Sequence, residues 1–225
     1  MKYQLIVFDW DGTLMDSEAR IVACMQQAAC DLGVPVPSDH ASKDVIGLGL
    51  MEAVQRLFQG QEAEHWPLLE DAYRRHFLAN ELAPSPLFDG ARAVIQGLAE
   101  QDCFLAVATG KSRRGLDRVL EETGLGPVFH ATRCTDETFS KPHPQMLMEI
   151  MGYLGVVAAD TLMVGDTEYD VQMAKNAGAD ALGVGYGVHE PERLYRHGAL
   201  HCLQQIRELP DWLAQQTISV TSNIE

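Results

Sequence analysis

Long apolar runs are missing from this 225-residue chain. The early run from Leu5 to Phe8 is far too short to cross a bilayer, which takes about 20 apolar residues. No basic region followed by a long apolar segment precedes it, so no export signal is expected. Positive charge is scarce as well. Lys and Arg total 17 against 32 Asp and Glu, a formal net charge of −15. That balance excludes nucleic-acid backbones and anionic membrane surfaces as expected partners. Cysteine pairing is also absent. Cys24, Cys30, Cys103, Cys134 and Cys202 are odd in number and scattered, with no Cys-x-x-Cys, which excludes a disulfide framework and makes a zinc site unexpected. A cytoplasmic protein with reduced thiols is the expectation. Hydrophobic residues make up 46% and charged ones 22%, ordinary values for a globular chain. The length fits one large domain, or one carrying a smaller insert, as a monomer or homodimer.

What is present is an alternation. Leu5 to Phe8 is continuously apolar and suits a strand buried on both faces of a parallel sheet. Phe104 to Ala108, Thr161 to Val164 and Ala181 to Val184 repeat that pattern, and Val128 to Thr132 is a weaker candidate. Helical stripes lie between them: Val94, Ile95 and Leu98; Leu116, Val119 and Leu120 before Gly124; and Met146, Leu147, Ile150, Met151 and Leu154 after Pro144. Strand followed by helix, repeated, predicts a doubly wound α/β sheet. The stretch from about Met15 to Leu87 breaks the alternation. It predicts three helices, on stripes centred at Ile21–Leu32, Met51–Phe58 and Trp66–Phe77, with Pro84-Ser85-Pro86 as the hinge back. The expected organisation is therefore a core of residues 1–14 and 88–225 with a helical domain, 15–87, inserted after the first strand.

Ligands of open α/β sheets bind beyond the carboxyl ends of the strands, and the polar residues gather there. The first strand runs into Asp9-Trp10-Asp11-Gly12-Thr13, the second into Thr109, and another into Asp166, with Asp170 one helical turn on. Lys141 opens a helix in Ser140-Lys141-Pro142. Residues i and i+2 share a side of an extended chain, so Asp9 and Asp11 can face one pocket while Trp10 packs away from it. Three converging carboxylates repel unless a cation joins them, and Mg2+ prefers carboxylate and water oxygens with a phosphate completing its shell. Lys141 and that cation would supply the local positive charge that an acidic protein needs to hold a phosphate. Asp9 then serves as nucleophile and Asp11 as general acid and base. Thr109 donates its hydroxyl to the phosphate, helped by the backbone N–H groups of Gly110 and Lys111. Each feature alone is also an ordinary turn, N-cap or surface lysine. Their ordered placement at predicted strand ends and helix starts favours the functional reading.

The ordered set resembles the haloacid dehalogenase superfamily over nearly the whole chain. Asp9-Trp10-Asp11-Gly12-Thr13-Leu14 is similar to its first motif, Thr109 to its second, Lys141 to its third, and Gly165-Asp166-Thr167-Glu168-Tyr169-Asp170 to its fourth. The resemblance is to phosphoglycolate phosphatase-like members with an α-helical cap. It implies a Rossmann-like core and a Mg2+-dependent phosphatase acting on a small phosphorylated metabolite, phosphoglycolate or a sugar phosphate, through an aspartyl-phosphate at Asp9. Asp9, the backbone carbonyl of Asp11, and Asp166 would hold the metal, with Asp170 behind them or acting through water. A β-phosphoglucomutase-like phosphomutase is the alternative, and a non-catalytic binding protein on the same scaffold a further one. Two departures stand out. The second motif of the group often carries Thr-Asn or Ser-Asn, and here it is Thr109-Gly110-Lys111, so a side-chain amide is absent. Lys111 either reaches a substrate anion in its place or is a solvated lysine at a helix start. The loop Val45 to Leu50, with Gly47 and Gly49, either meets the substrate or breaks a helix, and it holds no arginine. His143 and His189 are expected at the surface near the site.

Overall fold

The protein is described by a computed structural model covering residues 2–79 and 85–221, with side chains through 216. Its sheet is parallel throughout, in the order β3-β2-β1-β4-β5-β6. The strands are β1 (Leu5–Phe8), β2 (Phe104–Thr109), β3 (Ala131–Cys134), β4 (Thr161–Gly165), β5 (Asp180–Val184) and β6 (Cys202–Leu203). β1 sits between β2 and β4, with Val7 opposite both Ala106 and Met163. All four β1 residues are buried, as their unbroken apolar run requires of a strand covered on both faces. The helices α5 (Ala91–Ala99), α6 (Arg113–Thr123) and α10 (Leu209–Thr221) cover one face, around Ile6, Phe8, Leu105 and Leu116. The other face carries α7 (Gln145–Leu154), α8 (Glu168–Ala177) and α9 (Pro191–His197), around Leu5, Val7, Met146 and Met163. This is the expected Rossmann-like doubly wound architecture.

Two strands differ from the sequence expectation. β3 begins at Ala131 rather than Val128, because Gly126–Val128 forms a short 3-10 turn around Pro127. β6 was not expected: two residues are too few to display a period.

Between β1 and α5 lie, among the described residues, α1 (Glu18–Leu32), α2 (Asp39–Asp44), α3 (Leu50–Leu57) and α4 (His65–Leu78), four helices where three were expected. The additional one, α2, is six mostly polar residues with no apolar stripe. It starts at Ser38, whose hydroxyl accepts the Ala41 amide. These helices bury their own cluster, including Ala29, Val54, Phe58 and Leu69. Met15 bridges Leu87, the Asp16 amide donates to the Pro86 carbonyl, and the Phe88 amide donates to the Leu14 carbonyl. The chain thus leaves the sheet and returns to it through one paired junction. Pro84, part of the expected hinge, lies outside the described residues.

Candidate active site

β1, β2 and β4 are neighbours, so their carboxyl ends deliver Asp9, Thr109 and Asp166 to one place. The Asp9 amide continues the sheet by donating to the Val164 carbonyl at 2.9 Å. Its side chain turns inward, where Oδ1 accepts the Trp10 amide at 2.7 Å and faces Lys141 Nζ at 2.8 Å. Oδ2 has no partner among the described residues and is shielded from solvent. Trp10 packs away against Phe129, as the i, i+2 argument expects.

Gly12 makes the exit from the strand possible. Its φ is +78°, and a Cβ there would meet Asp166 Oδ2 at 2.1 Å. The Asp166 carboxylate therefore lies against the backbone of the first motif. The Thr13 hydroxyl donates to its Oδ1 and the Val188 amide to its Oδ2, both at 2.9 Å. Asp170 is in the first turn of α8. Its Oδ2 accepts the Thr167 amide at 3.1 Å and the Thr167 hydroxyl at 2.7 Å, while Oδ1 lies 2.7 Å from Lys141 Nζ. Lys141 is completely buried and bridges the two carboxylates.

Asp9, Asp166 and Asp170 each offer an oxygen within 4.8 Å of the others. Burial raises the Asp9 carboxyl from 3.8 to about 7; the Lys141 charge opposes this, while Asp170 and Asp11 add to it. Burial, with Asp9 and then Asp170, likewise holds Asp166 well above the usual carboxylate range. Burial pulls the Lys141 ammonium down, but Asp170 and Asp9 outweigh it and keep the group charged. All-oxygen donors, poor in compensating charge and with one orphaned oxygen, form a set suited to a hard divalent cation. The Asp11 carboxylate stands outside this cluster. The Ser17 hydroxyl donates to its Oδ1, and Lys111 Nζ lies 2.9 Å from its Oδ2.

Thr109 is buried, and its Oγ1 accepts the Lys111 amide at 3.2 Å. That contact uses up one of the two backbone donors expected to serve the phosphate and leaves the Thr109 hydroxyl proton to point elsewhere. Lys111 is not solvated: its side chain is 5% exposed. His143 is exposed as expected, but His189 is buried against Tyr169, its Nδ1 accepting the Glu168 amide at 3.0 Å. Burial, then Arg193, lower its pKa. The sequence expectation placed it at the surface because nothing local shows that 187–189 fold under Asp166. Thr13, Ser17 and Ser140 also went unassigned, although each lies beside a recognised motif residue.

The loop between α2 and α3 closes over these groups. The Gly49 amide donates to Ser140 Oγ at 2.8 Å, and a Cβ on Gly110 would stand 2.5 Å from the Leu48 carbonyl oxygen and 2.8 Å from that of Gly47. Backbone from the helical segment thus fills the space where the group's usual amide side chain would begin. Farther out, Arg56 donates to Tyr169 Oη at 2.7 Å, that hydroxyl donates to the Asp44 carbonyl at 2.7 Å, and Arg193 joins Asp44 to Glu168. Beside the loop lies a partly open cavity of about 940 Å³, lined by Asp9, Asp11, Leu48, Phe77, Thr109 and Lys111 among others. Gly110→Ala should lower kcat/KM about tenfold, the equivalent of the low end of an overpacking cost. Steady-state kinetics with circular dichroism as the folding control measure this; unchanged kinetics would mean that the loop does not need to seat there.

The chain belongs to the haloacid dehalogenase-like hydrolases, whose family profile matches residues 6–184. Within that family it is a phosphatase-type enzyme similar to phosphoglycolate phosphatases. It is 39% identical over 197 residues to "Probable phosphatase IndB" of Dickeya dadantii strain 3937, with 84% of each chain covered. It is 30% identical over 206 residues to the phosphoglycolate phosphatase of Pseudomonas putida, covering 87% of this chain and 71% of that one. A crystal structure of a predicted phosphatase from Clostridium acetobutylicum superposes with a TM-score of 0.85 at 26% identity, covering 95% of this chain and 99% of that chain.

Proposed function

We propose that the protein is a Mg2+-dependent phosphatase hydrolysing a small phosphate monoester, of the phosphoglycolate or sugar-phosphate type, through an aspartyl-phosphate on Asp9. The observation that carries this is the Asp9 carboxylate, which lines the cavity, is anchored through Oδ1 and has no partner for Oδ2 among the described residues. Asp9 Oδ2 attacks phosphorus as the bond to the alcohol oxygen breaks, and Asp11 gives that oxygen its proton. Asp11 then takes a proton from water, the water oxygen attacks phosphorus, and Asp9 leaves. Lys141, the Thr109 hydroxyl and the Gly110 amide hold the non-bridging oxygens. Asp9, Asp166 and the Asp11 carbonyl would hold Mg2+, with Asp170 behind them, and the ion would offset charge on the phosphoryl group. Residues 15–87 act as a cap domain over a core of 1–14 and 88–225, closing to exclude bulk water. The substrate is a soluble metabolite, and a cytoplasmic location agrees with five unpaired thiols. Among the described residues no helix is long and apolar enough to cross a membrane.

Purified protein should release inorganic phosphate from a generic aryl phosphate with Mg2+ and stop when EDTA is added. Activity that survives EDTA would contradict the metal assignment. A phosphomutase is the second reading, favoured by Arg114, an exposed arginine that lines the same cavity. A mutase needs such a cation to grip a second phosphate. Isomerised sugar phosphate without net phosphate release would select that reading.

A further inference from the structure

Each oxygen of Asp11 already carries one contact: Oδ1 accepts the Ser17 hydroxyl and Oδ2 lies 2.9 Å from Lys111 Nζ. A proton donor must face the ester oxygen of its substrate, so Asp11 shares or gives up one of these contacts in each cycle. Ser17 is one residue before α1, beside the paired junction at Asp16 and Pro86, so its backbone is held in place, and its hydroxyl also lies 3.4 Å from the Met15 carbonyl. Lys111 sits on an unbranched stem that can swing. Its ammonium lies 4.9 Å from the centre of the Phe77 ring of α4, and the neighbouring cavity wall includes the apolar Ile21 and Met25. A leaving group entering this part of the cavity meets a single buried cation whose present partner is Asp11.

We infer that Lys111 is a specificity-determining residue: it pairs with a second anionic group, carboxylate or phosphate, on the alcohol part of the substrate, and in moving to it frees Asp11 Oδ2 for the ester oxygen. This rests on the phosphatase reading with Asp11 as proton donor. A hydrogen bond from Asp11 to the ester oxygen is about 2.7 Å long, so Lys111 Nζ starts its swing within about 6 Å of that oxygen. A second anion on a short scaffold, close to the scissile bond, is the one reached with the least movement. A monoester without it leaves Lys111 on Asp11 and is turned over slowly even when it fits.

The test compares three two-carbon esters with the intact protein and Mg2+: ethylene glycol monophosphate, phosphoglycolate and ethylene glycol bisphosphate. The expected kcat/KM for at least one of the doubly anionic esters exceeds that of the monophosphate by about tenfold or more, the equivalent of one charge-assisted contact. Preference for phosphoglycolate assigns the second group as a carboxylate, and preference for the bisphosphate assigns it as a phosphate. Lys111→Met should bring the ratio to within about twofold, and Lys111→Arg should keep most of it. Calorimetric titration of an Asp9→Asn variant should rank the three esters in the same order without turnover. Equal kcat/KM for all three in the unaltered protein would overturn the inference. So would an equal loss on all three in Lys111→Met, the mark of a residue that only supports Asp11. If Lys111→Met does not fold, the ratio in the unaltered protein and the titration still decide. Failure of the phosphatase reading looks different: no phosphate is released from any of the esters or from an aryl phosphate.

Discussion

Asp9→Asn should lower turnover by on the order of 10⁴-fold or more while leaving the protein folded, because it removes the group proposed to form the covalent intermediate. The amide keeps the volume of the side chain and its acceptor for the Trp10 amide. Phosphate release under single-turnover conditions measures the loss. Retention of more than about a tenth of the activity would reject Asp9 as nucleophile. The same variant has a stability signature. Asp9 holds its proton more tightly in the fold, at about 7, than at the ordinary 3.8. Between those values the folded state binds more protons, so this contribution to metal-free stability is lost as pH rises through the window. In Asp9→Asn the fall of Tm from pH 4 to pH 7 should be shallower, and Mg2+ should raise the Tm of the unaltered protein more at pH 8 than at pH 5.

Lys141→Met should cost roughly 3–5 kcal/mol, the usual consequence of removing one member of a buried ionic network. Lys141 has no exposed surface, and it separates Asp9 from Asp170 at 2.8 and 2.7 Å. Without it two carboxylates face one another in a buried site. For a chain of this size the cost is a fall in Tm of about 6–20 °C. Activity should vanish too, since the ammonium is the cation next to the proposed nucleophile, Asp9. The triple variant Lys141→Met, Asp9→Asn, Asp170→Asn should regain most of the Tm but none of the activity, because neutralising the whole network removes the uncompensated charges. Thermal melts without metal separate the two cases. A triple variant no more stable than Lys141→Met would mean that Lys141 acts through packing rather than charge.

The parts of this site that could be read from the sequence are those whose meaning is local. Asp9, Asp11 and Gly12 follow an apolar run, Thr109 ends another, and Asp166 with Asp170 spans a strand end and a helix start. Strand ends in a parallel sheet converge by topology alone, so naming the strands brings these residues together. The helical segment was visible as a break in the alternation, although α2 was not, having no apolar stripe to reveal it. Contacts that join distant stretches could not be read. The Lys111–Asp11 pair, the seating of Leu48 over Gly110, the Thr13 hydroxyl on Asp166 and the burial of His189 depend on how loops from opposite ends of the chain pack. No spacing encodes them. Lys111 shows the difference: the sequence offers it as a group that reaches a substrate anion or as a solvated lysine, and only its neighbours in space decide that it is buried beside Asp11.

The most direct test of the account is to catch the covalent intermediate. Protein mixed with Mg2+ and an excess of a hydrolysed monoester, quenched in acid within milliseconds and digested, should carry one phosphoryl group on the peptide containing Asp9. Asp9→Asn should carry none. Turnover with no phosphorylated peptide at any quench time, or a phosphoryl group on Asp11 or another residue, would contradict the assignment of Asp9 as the nucleophile.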